Sequence, residues 1–245
     1  MSTIRRQSII ASLVIYLGFV VGMLNVYFFG SEKYFTGEQY GLTSIFVAIA
    51  QMMAAFANFA MPSVLAKFYP YYKDHLSDDK NDVISLALII GVIGFILVCL
   101  AGWVFKDLVV QKYSANAPEL VKYYFWTFPL GFGLTIFSIL EVYAWNVGKP
   151  ILTNFLKEMQ WRLIITVLIV LFLYNIIPDF DLFIKLYAFT YPAIAVTLLG
   201  YLIYKKRIHF TLQISKVTRR LYKKDSFIFV LSLQRLYCVN AGTGI

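Results

Sequence analysis

Three carboxamide residues interrupt long apolar stretches of this 245-residue chain, where they could bind a ligand or a neighbouring helix. They are Asn25, Gln51 and Asn58. If the stretches cross a membrane, such polar groups are costly and face the bundle interior or a cavity. Hydrogen bonding between helices is their commoner use, and contact with a ligand in a cavity is the alternative.

Charged residues stand at the ends of the apolar stretches. Lys67 and Glu141 each close one stretch, and Glu158 and Arg162 precede another at a spacing of four residues. On a helix this spacing places both side chains on one face, so we expect an ion pair between them. Lys67 and Arg162 can also extend toward lipid headgroups, or form an entrance that receives anions.

Patterns typical of catalytic or metal-binding sites are absent from the sequence. His75 and His209 lack metal-ligand spacing, and the two cysteines lie far apart. Asp78, Asp79 and Asp82 precede an apolar stretch, where acidic residues favour a helix N-terminus; an acidic metal-binding or glycosyltransferase-like motif is the alternative. We therefore expect neither an enzyme nor a cofactor.

Membrane-spanning helices are the elements that must position these residues. The chain is 60% hydrophobic and 14% charged, whereas soluble domains carry roughly 25% charged residues. A spanning helix needs about 20 predominantly apolar residues, and continuous runs of that length do not fit the alternating strands of a membrane barrel. The predicted fold is an all-α, six-helix transmembrane bundle with spans at about residues 8–30, 41–63, 83–105, 121–140, 160–178 and 186–204.

Glycine and proline residues predict how these spans pack and bend. Gly18 and Gly22 form a GxxxG pair in the first span, a pattern that allows two helix backbones to approach closely. Pro62, Pro129 and Pro192 interrupt the second, fourth and sixth apolar runs. Such interruptions around a midplane cavity are typical of transporters.

Lysine and arginine residues are distributed unequally between the two sides of the predicted bundle. The excess lies on the side of the N-terminus and of residues 205–226, so both are expected in the cytoplasm, the latter as a basic linker. The net charge of +9 is then explained by contact with anionic membrane lipids, without nucleic acid. A further apolar run begins at Phe227 and soon stops, so 227–245 is predicted to be a truncated or aberrant seventh helix.

Five short motifs follow one another in a distinctive order. They are IRRQS at 4–8, TGEQYGL at 36–42, AKFYP at 66–70, NFLKE at 154–158 and WRL at 161–163. In order and spacing, the chain resembles bacterial polysaccharide-biosynthesis flippases, the O-antigen and oligosaccharide-lipid translocases of the superfamily that also contains the MATE drug exporters. The resemblance covers about residues 5–224.

This resemblance implies one lobe of a MATE-like carrier, in which two six-helix lobes surround a cavity and a cytoplasmic linker joins them. A polyprenyl-pyrophosphate-linked oligosaccharide would cross the bacterial inner membrane as the lobes rock about the site. The chain would supply the N-terminal lobe, and it would need a C-terminal lobe or a homodimer partner to transport. Arg6, Lys67 and Arg162 would suit the pyrophosphate. The full set of candidate substrate-binding residues, in the cavity or at its cytoplasmic mouth, is Arg6, Asn25, Gln51, Asn58, Lys67, Glu141, Glu158 and Arg162.

Two other functions remain as alternatives. A MATE-type, cation-coupled drug exporter would be expected to carry an acidic residue deep in this lobe, and none lies in the central turns of the six runs. A membrane polysaccharide polymerase or ligase would be expected to have a large outer loop with charged catalytic residues, and the predicted outer loops are short.

Overall fold

The structure is a computed structural model that describes residues 3–31, 34–77, 80–113, 118–211 and 213–220. These residues form helices and loops, with no β-strand among them. Several of the helices are long and apolar enough to cross a membrane, which indicates a multi-pass membrane protein. Five such stretches are present in the described residues: Ile9–Gly30, Gly37–Ala57, Val83–Val104, Pro118–Asn146 and Phe180–Tyr204.

The helices follow one another through short connections, and two of these connections are helical turns of another type. A 3₁₀ turn, Tyr124–Trp126, leads into α7, and a π turn, Phe155–Gln160, joins α8 to α9. The α-helices of the described residues are α1 (Thr3–Gly30), α2 (Gly37–Ala57), α3 (Met61–His75), α4 (Val83–Val104), α5 (Lys106–Tyr113), α6 (Pro118–Tyr123), α7 (Thr127–Asn146), α8 (Pro150–Asn154), α9 (Trp161–Leu173), α10 (Phe180–Tyr187) and α11 (Thr190–Tyr204).

The predicted fifth span, 160–178, differs from the helix found there. Helix α9 ends at Leu173, because Asn175 adopts a left-handed conformation with φ 56°. Two hydrogen bonds close this end, from the Asn175 N–H to the Phe172 carbonyl and from the Ile176 N–H to the Leu171 carbonyl. This pair of bonds is a Schellman cap, which satisfies carbonyls at a helix C-terminus. A six-span bundle stays a prediction, and so does the seventh helix, since residues 221–245 lie outside the described residues.

Three predicted spans are broken into separate helices at the proline positions. The second is interrupted between α2 and α3, where Phe59 and Ala60 are left-handed, with φ 42° and 59°. Pro62 then lies in the first turn of α3, Pro129 in that of α7 and Pro192 in that of α11. The N–H groups of a first turn have no partner within the helix, so a proline there loses no hydrogen bond.

Helix α7 is the centre of the bundle. Helices α2, α3, α4 and α11 pack around it, and Phe137, Ile139 and Leu140 of α7 are fully buried. Helix α1 instead packs along α8, the π turn and α9, and most of its other side chains are exposed. The bundle therefore has a well-packed side around α7 and a more open side near α1.

Contacts near the helix ends define two ends of the bundle. At one end, Phe29, Phe35, Phe172 and Phe183 form a cluster of aromatic rings. At the other, which we call the basic end, the ends of α3, α7 and α11 lie together with the start of α4 and with residues 205–211 and 213–220. Helices α3, α7 and α11 therefore run toward the basic end, whereas α4 runs away from it.

Candidate functional site

Gly18 and Gly22 bring α1 into direct contact with the helix that carries Glu158 and Arg162. A Cβ atom on Gly18 would overlap the backbone carbonyl of Glu158. A Cβ atom on Gly22 would lie 2.6 Å from Nη1 of Arg162. The close packing predicted from the GxxxG pair is therefore confirmed, and its partner is the π turn with the first turn of α9.

The π turn explains how a polar segment enters this contact. Helical backbone continues from Pro150 to Leu173, with a π turn at Phe155–Gln160. In a π turn the hydrogen bonds run to the fifth residue back, which places one additional residue in the turn. At its end, the Trp161 N–H bonds to the Leu156 carbonyl. Such turns often occur at functional sites, and this one carries Lys157 and Glu158.

The predicted ion pair between Glu158 and Arg162 is confirmed. Nη2 of Arg162 lies 2.8 Å from Oε2 of Glu158, and Nη1 donates a hydrogen bond of 2.7 Å to the Gly18 carbonyl. A guanidinium has five N–H donors, and these two contacts use two of them. Gly18 lies near the middle of the apolar stretch Ile9–Gly30, so Arg162 reaches well into the bundle from the start of α9.

Asn25 fixes the same helix pair one turn further along. Its side-chain N–H donates to the Arg162 carbonyl at 2.9 Å, and its Oδ1 accepts from the Thr166 hydroxyl at 2.7 Å. Asn25 is buried, and both polar ends of its side chain are satisfied. This is the hydrogen bonding between helices predicted for it. It also fixes the backbone that carries Arg162.

A cavity of about 730 Å³ opens beside this contact, between α1, α2 and α9. We call it the Arg162 cavity, because Arg162 is the charged residue in its wall. Asn25, Thr43 and Ser44 add polar groups. The volume lies within the range of about 300–1,000 Å³ that is usual for small-molecule sites. Most of the wall is aromatic or aliphatic: Phe19, Met23, Val26, Tyr27, Phe29, Tyr40, Val47, Trp161, Ile165 and Tyr187.

Glu141 and Lys157 form a second ion pair next to the first. The Nζ of Lys157 lies 3.6 Å from Oε1 of Glu141, which is buried in α7. Lys157 and Glu158 are consecutive residues of the π turn, so the two ion pairs lie side by side. The four charged residues therefore form one group, which is formally neutral and joins α7, the π turn and α9.

The other candidate residues lie away from this group. Asn58 is buried at the α2–α3 break, and its side-chain N–H donates to Oγ of Ser138 at 2.9 Å. Gln51 is exposed and has no hydrogen-bond partner among the described residues. Lys67 is exposed on α3, with Nζ over the Phe68 ring. The backbone of Arg6 belongs to α1, and its side chain lies outside the described residues.

Sequence reasoning missed several residues of the cavity wall. Trp161 is one of them: its Nε1 donates to Oγ1 of Thr190 at 3.2 Å, and its ring lies 5.1 Å from that of Tyr191. Ser44 and Tyr187 come from distant parts of the chain. Tyr40, Thr43, Ser44 and Val47 follow the helical spacing of one face of α2, and this spacing was the signal available in the sequence. Only the packed structure shows that this face meets α1.

Substitution of the two glycines tests the α1 contact. We expect Gly18→Ala to lower the free energy of unfolding by about 1–3 kcal/mol, because the added methyl group meets rigid backbone. Gly22→Ala meets the end of the flexible Arg162 side chain, so its cost should be smaller. Denaturant titration of the purified protein in detergent measures both.

Gly30→Ala is the control on the same helix, because no atom lies within 4 Å of a Cβ placed there. Equal effects of Gly18→Ala and Gly30→Ala would contradict the close contact between α1 and the π turn.

Comparison with known proteins finds no family model, no curated protein and no solved structure that matches this chain.

Proposed function

We propose that this chain binds a polyprenyl-pyrophosphate-linked oligosaccharide in the Arg162 cavity, as part of a flippase that moves the lipid to the outer leaflet. The observation that supports this most strongly is a guanidinium, with donors to spare, in a largely apolar cavity among membrane-spanning helices. The motif order of the sequence supports the same family. In this proposal the protein lies in a bacterial inner membrane with its N-terminus in the cytoplasm.

The chemistry of the cavity suits an amphiphilic anion. A pyrophosphate accepts two parallel hydrogen bonds from one guanidinium, and such charge-assisted pairs are stronger than neutral ones. The aliphatic wall, including Met23 and Val26, can contact an isoprenoid chain. Aromatic rings such as Tyr40 and Trp161 can pack against sugar rings, while Thr43 and Ser44 offer hydroxyl groups.

Within this proposal, the described helices act as one lobe of a MATE-like carrier. The cavity would face a second lobe, and alternating access would come from rocking of the two lobes about the bound lipid. The exposed face of α1 and the opening beside it support this arrangement, since a second lobe would cover them.

Glu158 sets how strongly Arg162 can bind an anion. Its carboxylate pairs with the same guanidinium, so a pyrophosphate must compete with it. Removal of the Glu158 charge should therefore strengthen binding, whereas removal of the Arg162 charge should weaken it. If the two variants only disrupted the structure, both would weaken binding; opposite changes in affinity would therefore indicate an effect of charge.

The test is binding of a polyprenyl pyrophosphate to the purified chain in detergent, followed by microscale thermophoresis. We expect Arg162→Gln to weaken binding at least about tenfold, because a charge-assisted hydrogen bond is lost. Glu158→Gln should tighten binding. Ser44→Phe should also weaken it, because the ring fills part of the cavity.

Ala55→Phe is the matched control, since Ala55 is exposed on the same helix and does not line the cavity. The uncharged polyprenol is the control ligand. The proposal fails if the alcohol binds as tightly as the pyrophosphate, or if Arg162→Gln and Glu158→Gln change the affinity in the same direction.

Glu141 favours a second candidate, a cation-coupled drug exporter of the MATE type. The sequence placed this acid at the end of a span, but it is buried inside α7, which continues to Asn146. Its partner Lys157 is half exposed, so water screens part of the interaction between the two charges. The same assay can be run with a hydrophobic organic cation as the ligand. This candidate would be favoured if the chain bound the cation and not the pyrophosphate, and if Glu141→Gln abolished that binding.

A further inference from the structure

A second cavity, of about 440 Å³, lies at the basic end. Its walls come from α3, from the C-terminal end of α7 and from residues 205–209, which follow α11. It shares no residue with the Arg162 cavity. We call it the basic cavity, and we infer its ligand from its own residues.

The turn after α11 has a defined backbone conformation. Lys206 is left-handed, with φ 50°, and its N–H bonds to the Ile203 carbonyl, while the Arg207 N–H bonds to the Leu202 carbonyl. This is again a Schellman cap. The Tyr143 hydroxyl of α7 donates to the Arg207 carbonyl, which ties the turn to the opposite wall of the cavity.

The chain beyond this turn is also held against the bundle. Asp82, at the start of α4, accepts hydrogen bonds from the Ser215 N–H at 2.8 Å and from the Thr218 hydroxyl at 2.7 Å. The hydroxyls of Tyr72 and Thr218 lie 2.8 Å apart. Burial raises the pKa of Tyr72, so its phenol stays neutral at physiological pH. Both ends of the segment are thus anchored, and the cavity is built before any ligand binds.

Basic side chains dominate the lining of this cavity. They are Lys73, Lys205, Lys206, Arg207 and His209. No aspartate or glutamate lines it, and none of these five forms an ion pair among the described residues. The nearby carboxylate of Asp82 is turned toward Ser215 and Thr218.

The helix C-termini at this end explain only part of the positive charge that lines the basic cavity. Cations near a helix C-terminus interact favourably with its dipole, and α3, α7 and α11 all end here. However, this stabilisation is confined to the last turn, and several like charges in one concave site repel one another. An anion in the cavity would relieve that repulsion.

Neutral donors complete the site. Oδ1 of Asn81 accepts from the Val83 N–H, so its amide N–H groups remain for a ligand. Asn146 uses one N–H on the Val142 carbonyl at 2.9 Å. Phosphate oxygens accept hydrogen bonds from ammonium, guanidinium and amide groups together.

We propose that the basic cavity binds a phosphate group at the membrane surface. Such a phosphate can come from the headgroup of an anionic lipid or from a free phosphate compound. Both sources share the chemistry that these residues recognise. The proposal does not depend on what the Arg162 cavity binds.

Titration calorimetry of the purified chain in a neutral maltoside detergent tests this proposal with three probes. They are dioctanoyl phosphatidic acid, inorganic phosphate and uncharged dioctanoylglycerol. We expect binding of at least one phosphate probe and none of dioctanoylglycerol. The triple variant Lys205→Gln, Lys206→Gln, Arg207→Gln should weaken phosphate binding at least about tenfold, because charge-assisted hydrogen bonds are removed.

The matched control is the triple variant Lys216→Gln, Arg219→Gln, Arg220→Gln, which removes the same charge from exposed positions outside the cavity. It should leave the affinity almost unchanged. Lys73→Gln, on a different wall, should weaken binding and so tests the site if the first triple variant does not fold. Binding of phosphatidic acid alone would identify a lipid headgroup, and binding of both phosphate probes would show that the phosphate suffices. The proposal is overturned if neither binds, or if the two triple variants lose affinity equally.

Discussion

Replacement of Arg162 by methionine is expected to lower the free energy of unfolding by about 2–3 kcal/mol. The change leaves the Glu158 carboxylate between α1 and α9 without its cation, and an unpaired buried charge typically costs about 3–5 kcal/mol. About a quarter of each side chain is exposed, which places our value below that range. The variant also removes the hydrogen bond to the Gly18 carbonyl. Methionine keeps most of the apolar stem, so little packing against Gly22 is lost.

The double variant Arg162→Met, Glu158→Gln separates the charge effect from the packing effect. Because it removes both charges, it should recover a large part of the stability lost in Arg162→Met. Denaturant titration in detergent measures the wild type, both single variants and the double variant as one cycle. Equal stabilities of Arg162→Met and the wild type would show that solvent replaces the ion pair at no cost.

Replacement of Gly133 by alanine is expected to cost at least about 1–3 kcal/mol, the usual range for overpacking a well-filled core. A Cβ atom on Gly133 would overlap the backbone nitrogen and the ring of Pro192. It would also lie 2.6 Å from the carbonyl carbon of Tyr191. None of these atoms can rotate away, so α7 and α11 must separate to admit the methyl group. Thermal unfolding followed by circular dichroism measures the loss.

Gly200→Ala is the matched control for Gly133→Ala. Gly200 lies on α11, and a Cβ atom placed there has no neighbour within 4 Å. Alanine is better than glycine inside a helix by about 1 kcal/mol, so this change should be neutral or stabilising. If both substitutions shifted the melting temperature alike, the contact between α7 and α11 would not be as close as the structure places it.

Local patterns in the sequence predicted the features that depend on neighbouring residues. The spacing of Glu158 and Arg162 predicted their ion pair, and the GxxxG pair predicted a close helix contact. The prolines marked the places where spans break. These predictions rest on two local properties, the periodicity of a helix and the missing N–H of proline. Both properties are independent of the rest of the fold.

The end of a helix and the choice of partner were harder to predict. The left-handed conformation of Asn175 ends α9 earlier than the hydropathy pattern indicated, because the apolar run continues past the cap through Ile176 and Ile177. Asp82 precedes α4 as expected, yet its side chain makes no capping hydrogen bond and binds Ser215 and Thr218 instead. Its partners lie far along the chain, and no local pattern points to them.

The sequence by itself determined that this is an all-helical, multi-pass membrane protein, because long uncharged runs can satisfy their backbone hydrogen bonds in lipid only as helices. It also predicted that most lysine and arginine residues lie on the side of the bundle that holds the N-terminus. Only the tertiary structure decided which candidates share a site: Asn25, Glu158 and Arg162 meet around two glycines, while Gln51, Asn58 and Lys67 lie elsewhere. The reason is that helix periodicity fixes which residues share a face, whereas the partner of that face depends on how all the helices pack together.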